Sequence, residues 1–78
     1  MTTPDQILVD LLTSDSTADA LADRLRVPML AIKAMCQRHE IDGLVTAISI
    51  NKNTLVAYRI TPSGRDVAAA AQQSIKAA

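Results

Sequence analysis

Half of the eight lysine and arginine residues of this 78-residue chain lie in one segment. The segment from position 24 to 39 has no carboxylate, and its cations are Arg24, Arg26, Lys33 and Arg38. In the first 23 residues, by contrast, every charged side chain is an aspartate. The whole chain has zero formal net charge. Guanidinium and ammonium groups form charge-assisted hydrogen bonds with anionic oxygens. A neutral chain with one cationic segment is therefore expected to present one face to a polyanion.

The sequence offers little for catalysis or metal binding. His39 is the only histidine and Cys36 the only cysteine, so no internal disulfide and no cysteine cluster for zinc or iron–sulfur is possible. There is no glycine-rich phosphate loop and no nucleophile with a neighbouring base. We therefore predict a protein that is not an enzyme and that uses no cofactor and no metal.

Cys36 and His39 are one helical turn apart, and each allows two interpretations. On the apolar face of a helix with Ile32 they would be ordinary core residues. A thiol beside an imidazole is also the arrangement of a redox sensor, and His39 with Cys36 would be two of the ligands of a metal site. The apolar neighbours favour the core interpretation.

Helix signals precede and follow the cationic segment. A first helix is predicted with a cap at Thr3 and an end near Thr13, since Thr3 and Pro4 form a typical helix start and leucines follow at helical spacing. Ser16 with Asp19 predicts a capping box for a second helix, which should end before Pro28.

A third helix and a hairpin are predicted next. The helix should run over Pro28–Ile41 and be ended by Gly43 in a left-handed conformation. The stretches Leu44–Ile50 and Leu55–Ile60 are rich in β-branched residues, and Asn51–Thr54 between them is typical of a tight turn. Strand, turn and strand together predict a β-hairpin.

A last helix should begin with Thr61 as its cap and Pro62 in its first turn. Its apolar residues recur at four-residue steps.

A chain this short, half of it apolar and almost without aromatic residues, commonly depends on a partner for stability. We therefore predict a homodimer. Its predicted seam consists of Val67, Ala71 and Ile75, with Val9 and Leu12 of the first helix as a second candidate.

The N-terminus has no basic start followed by an apolar run, and no stretch approaches the length of a membrane span. The expected location is the cytoplasm. The length fits one domain over residues 1–78.

The order helix, helix, helix, hairpin, helix resembles the winged helix-turn-helix superfamily over nearly the whole chain. Three strings are similar to those of bacterial and phage regulators of the multiple-antibiotic-resistance and arsenic-repressor types. They are Ala20–Leu25, Ile41–Val45 and Ile60–Arg65. The resemblance implies an α+β winged helix-turn-helix domain that binds DNA and regulates transcription. That family often has glycine between its second and third helices, where Arg26 stands here.

Drawn as a helical wheel, the third helix has Ile32, Cys36 and His39 on one face, flanked by Met29 and Met35. The opposite face carries side chains that could enter the major groove of double-stranded DNA: Gln37 suits adenine, and Ala34 suits a thymine methyl. Arginine and lysine suit guanine or phosphate. The expected DNA-binding residues are Arg24, Arg26, Lys33, Ala34, Gln37, Arg38 and Lys52.

Two functional hypotheses follow. The first is a transcriptional regulator that occupies an operator as a homodimer. The second is a protein-interaction module, a small phage or bacterial adaptor or inhibitor that docks through the apolar stripe Leu30, Ala34 and Ile41. An apolar stripe on an exposed helix is typical of a surface that a partner covers.

Overall fold

A computed structural model describes residues 2–49 and 56–77, with side chains as far as Gln73. Three helices, a hairpin and a final helix follow one another as predicted, together with a short additional strand. The elements are α1 (Thr3–Leu11), β1 (Ser16–Thr17), α2 (Ala18–Leu25), α3 (Met29–Ile41), β2 (Val45–Ser49), β3 (Val56–Ile60) and α4 (Pro62–Ala77). None of the described helices is long and apolar enough to cross a membrane. The predicted hairpin tip, with Lys52, lies outside the described residues.

The three strands form one antiparallel sheet in the order β1, β3, β2. The hairpin register pairs Val45 with Ile60 at its base and Ser49 with Val56 at its outer end. Strand β1 adds Ser16 opposite Tyr58. A two-residue strand has no periodicity that a sequence could display, which is why β1 was not predicted.

Two of the predicted helix caps are wrong by one residue. The cap of α1 is Thr2, whose hydroxyl accepts a hydrogen bond from the Asp5 amide, and α1 ends at Leu11. The cap of α2 is Thr17, whose hydroxyl accepts a hydrogen bond from the Ala20 amide. An N-cap needs an extended backbone and a side-chain oxygen, and adjacent hydroxyl residues supply both equally well.

The connections on either side of α3 have left-handed residues. Arg26 has φ 56° and ψ 47° and ends α2, at the turn where the family often has glycine. That conformation costs a non-glycine residue about 1–2 kcal/mol. The prediction that α3 begins at Pro28 is wrong. Pro28 is extended, so the helix begins at Met29. Gly43, with φ 76°, follows the end of α3 as predicted.

The core is aliphatic and draws on all four of these helices and on the two longer strands. Helix α1 lies between α4 and the other helices, and packs against α2, α3, α4 and β3. The core residues are Ile7, Leu8, Leu11, Ala18, Leu21, Ile32, Cys36, Val45, Ile60 and Ala68.

Cys36 and His39 belong to this core, as the core interpretation predicted. The Cys36 thiol is fully buried, and burial raises its pKa to about 11. The His39 ring is 7% exposed, and its Nε2 donates a hydrogen bond to the carbonyl of Pro4 over 3.0 Å. This bond joins α3 to the first turn of α1. A thiol with so high a pKa is a poor nucleophile, which argues against the redox-sensor interpretation.

A close contact joins the end of α3 to the start of α4. The Thr61 hydroxyl donates to the carbonyl of Gly43 at 2.7 Å and accepts from the amide of Gly64 at 3.1 Å. The Thr61 amide donates to the carbonyl of Leu44 at 3.0 Å. A Cβ on Gly64 would lie 2.1 Å from that Leu44 oxygen and 2.7 Å from Cγ1 of Ile60. Only glycine lets the two segments approach this closely.

We expect Gly64→Ala to destabilise the domain by about 1–3 kcal/mol or more, because the backbone itself must move to admit the new methyl. Gly43→Ala is the matched control. Its Cβ would meet nothing within 4 Å, so the change costs only the left-handed strain, about 1–2 kcal/mol. Urea unfolding followed by circular dichroism measures both. A loss for Gly64→Ala no greater than that for Gly43→Ala would contradict the packing argument.

Cys36 should resist thiol reagents in the folded protein. With a pKa of about 11, only about one thiol in a thousand is ionised at pH 8. We expect alkylation by iodoacetamide to be at least about a hundredfold slower in buffer than in denaturing urea, where the pKa returns towards 8.5. Comparable rates in the two solutions would show that the thiol is accessible.

The same shift gives a pH dependence. Above about pH 9 the unfolded thiol releases its proton while the buried thiol keeps it, so stability should fall as the pH rises towards 11.

Candidate nucleic-acid interface

The outer face of α3 is open to solvent. Leu30 is 81% exposed and Ile41 78% exposed, and Ala34 and Gln37 between them are also exposed. Ile32, Cys36 and His39 are buried on the opposite face. The predicted division of the helix into an inner and an outer face is therefore confirmed. Of the two predicted flanking methionines, Met35 is half-buried against the core.

Met29 behaves differently from Met35, because it is 40% exposed and faces a groove. This open groove, about 540 Å³ in volume, separates α3 from the sheet and the start of α2. Four α3 residues spaced by three or four positions form one wall: Met29, Lys33, Gln37 and Glu40. The groove thus reaches Lys33 and Gln37, two of the three α3 residues to which the sequence assigned polar contacts with DNA, but not Arg38.

The other walls contain residues that the sequence did not single out for a site. The sheet contributes Ala47, Val56 and Tyr58, and the start of α2 contributes Thr17 to Asp19. Burial raises the pKa of the Tyr58 phenol, and the charge of Glu40 adds to the effect, so the hydroxyl remains protonated at neutral pH. No short sequence pattern groups these residues, because the pairing of β1, β2 and β3 and the packing of α2 bring them opposite α3.

Two of the predicted phosphate ligands have acidic partners. Arg24 pairs with Asp10 of α1 through Nε at 3.0 Å and also donates to the Ser16 hydroxyl. Arg38 pairs with Asp42 at 3.3 Å across one helical turn. The Arg38–Asp42 pair is exposed, and exposed pairs contribute little to stability, so a phosphate can replace this carboxylate at small cost. Asp10 in the other pair is half-buried.

A third pair holds β3 to the segment before β1. Arg59 donates to both carboxylate oxygens of Asp15, with Nη2 at 2.9 Å from Oδ2. This hydrogen bond raises the pKa of Arg59 above its already high value. This pair could not be predicted from the sequence, because the two residues are 44 positions apart.

Arg26, Lys33 and Arg65 have no ion pair among the described residues, and all three are exposed. Arg26 lies in the left-handed turn before α3, and Lys33 lies on α3 beside the outer face. The cations with the fewest competing partners are thus found at the N-terminal half of α3 and at the start of α4. Lys52 is outside the described residues.

The predicted dimer seam is only partly accessible. Val67 is 37% exposed, whereas Ala71 is half-buried within the chain itself. The side chain of Ile75 lies outside the described residues. Val9 and Leu12, the second candidate, are half-buried and pack against the core. Among the α4 residues whose side chains are described, the buried ones are Gly64 and Ala68.

No protein-family model matches the chain. No curated protein matches it either. Solved structures do match. The transcriptional regulator BldR from Sulfolobus solfataricus is 29% identical over 95% of this chain, with a TM-score of 0.86. The adhesin competence repressor AdcR from Streptococcus pyogenes is 14% identical over 97%, with a TM-score of 0.86. ZitR from Lactococcus lactis, solved in complex with DNA, is 22% identical over 86%, with a TM-score of 0.77.

The chain spans 54% of BldR, 57% of AdcR and 47% of ZitR, so it matches about half the length of each. Those matches cover nearly all of its helices and strands. ZitR is described as a zinc-responsive MarR family member. The resemblance seen in the three sequence strings is therefore confirmed at the level of the fold, and this chain is a winged helix-turn-helix domain.

Proposed function

We propose that the chain is a DNA-binding regulator of transcription, which acts by occupying an operator with α3 in the major groove. The observation that carries the proposal is the open outer face of α3 in a fold that superposes on BldR at 29% identity. The solved complex of ZitR with DNA supports the same use of the fold. Helix-turn-helix proteins place the first half of the recognition helix against base edges.

Each residue that the sequence assigned to DNA has a role in this proposal. Gln37 would form paired hydrogen bonds with adenine, and Ala34 would contact a thymine methyl. Lys33 and Arg26 would bind phosphates directly, since no carboxylate competes for them among the described residues. Arg24 and Arg38 would exchange a carboxylate for a phosphate. Lys52 would add a phosphate contact from the wing.

We further propose that the active form is a homodimer in the cytoplasm of a bacterial or phage-infected cell. One copy offers few unpaired cations, and each neutralised phosphate adds only a limited counterion-release contribution. Two copies on a palindromic site would double that contribution and add specificity through half-site spacing. Val67 on α4 is the accessible apolar residue at which the second copy would dock.

A second candidate function is favoured by one observation. Leu30 and Ile41 are both large, apolar and about four-fifths exposed. With Ala34 they form a stripe that a protein partner could cover. In this alternative the domain is an interaction module, and substitution at either end of the stripe should weaken partner binding.

Lys33→Ala should weaken binding to random-sequence duplex DNA and reduce the slope of log K against log[salt] by about 1. The control is Arg59→Ala, which removes the same formal charge from a side chain already paired with Asp15. We expect its salt slope to stay near that of the parent. Fluorescence anisotropy across a salt series measures both. Equal slopes for the parent and Lys33→Ala would remove Lys33 from the interface.

Val67→Asp should convert a dimer into a monomer, because the introduced charge would be buried in the proposed seam. Ile41→Asp is the control, since it places the same charge on an apolar residue outside that seam. Sedimentation equilibrium at micromolar concentration distinguishes the 8.3 kDa chain from twice that mass. A parent chain that sediments as a monomer both alone and on DNA would refute the dimer proposal.

A further inference from the structure

The N-terminal half of the outer face combines apolar and cationic groups. Leu30 and Ala34 are exposed one turn apart, and Gln37 follows on the same side of α3. Lys33 flanks them, and Arg26 lies in the turn just before the helix. The Leu30 side chain contributes little to the packing of the isolated chain, since 81% of it is in solvent.

The charges beside Leu30 restrict what can cover it. Lys33 and Arg26 have no acidic partner among the described residues, so the complementary surface must be anionic. It must also present an apolar group to Leu30. Duplex DNA meets both requirements, because its phosphates are anionic and the thymine C5-methyl is the apolar group that its major groove exposes.

The C-terminal half of the same face lacks this combination. Ile41 lies eleven residues after Leu30, about 16 Å further along the helix axis. Its neighbours Arg38 and Asp42 pair with each other, so a phosphate there must displace a carboxylate, whereas Arg26 and Lys33 have no carboxylate to displace among the described residues. Leu30 and Ile41 are thus similar in exposure and different in electrostatic surroundings.

From this geometry we infer that Leu30 and Ala34 contact thymine methyl groups while Gln37 binds an adjacent adenine, so that the chain selects A·T pairs in each half-site. This inference rests on the proposed function and adds the base composition of the target. In this inference an apolar side chain determines the base specificity, and the cations beside it bind phosphates.

The test begins by selecting bound duplexes from a random 20-base-pair pool with the full chain. The recovered duplex is then made twice, once with thymine and once with deoxyuridine, which lacks only the methyl. We expect the deoxyuridine duplex to bind about fourfold more weakly for each methyl that is contacted, the effect of one buried methylene-sized group.

Two alanine variants locate the contact. Leu30→Ala should lose the discrimination of about fourfold that the Leu30 contact provides and keep the part that Ala34 provides. Ile41→Ala should keep the parent's discrimination. Both residues are exposed, so both variants should fold, and circular dichroism confirms this independently.

Each other result overturns a defined part of the inference. A selected duplex that the parent binds equally well in both forms refutes methyl recognition and leaves DNA binding intact. Equal loss of discrimination in Leu30→Ala and Ile41→Ala refutes the assignment to the N-terminal half. A pool that shows neither enrichment nor salt-dependent binding refutes the proposed function, and the inference with it.

Discussion

The position of the hairpin relative to α3 depends on the contact between Gly43–Leu44 and Thr61–Gly64. The Thr61 side chain binds the Gly43 carbonyl and the Thr61 amide binds the Leu44 carbonyl, both in the segment between α3 and β2. Immediately beyond this contact, Val45 begins β2 and its pairing partner Ile60 ends β3. The same hydrogen bonds therefore set the start of α4 and the base of the wing. A side chain on Gly64 would separate all three.

This contact also explains why two of the three family-like strings belong together. They are distant in sequence, yet one supplies the carbonyls and the other supplies the hydroxyl, the amides and the glycine. The threonine caps its own helix and also binds a second segment. It therefore links a local feature, the helix cap, to the tertiary packing.

The ion pairs determine where unpaired positive charge remains on a chain of zero net charge. Aspartates from α1, from the loop before β1 and from the end of α3 pair with Arg24, Arg59 and Arg38. The paired carboxylates reduce the positive charge that these three arginines offer to a polyanion. Arg26 and Lys33, beside the first half of α3, have no ion pair among the described residues. A small domain can in this way keep a neutral surface and still present a local positive potential.

Arg26 illustrates a compromise at that site. Its left-handed backbone costs about 1–2 kcal/mol that glycine would avoid. The surrounding turn keeps the residue in this conformation, with its N–H bonded to the Ala22 carbonyl. A strained residue that persists at a candidate interface is often retained for its side chain. Here that side chain is an exposed cation without an acidic partner among the described residues.

The sequence by itself determined the order of the elements and the faces of α3. Helical spacing, proline and glycine are local signals, and they correctly separated Ile32, Cys36 and His39 from Leu30, Ala34 and Gln37. Local signals also predicted left-handed Gly43 and the cap at Thr61. They failed by one residue at Thr2 and Thr17, because neighbouring hydroxyl residues have equal capping ability.

Only the tertiary structure decided which cations remain unpaired and which residues line the groove. The Arg59–Asp15 pair, strand β1 and the approach of Gly64 to Leu44 all join residues far apart in sequence. Such contacts depend on sheet register and helix packing, which no short pattern encodes. The candidate site is therefore predictable as a helix face, whereas its electrostatics follow from long-range pairing.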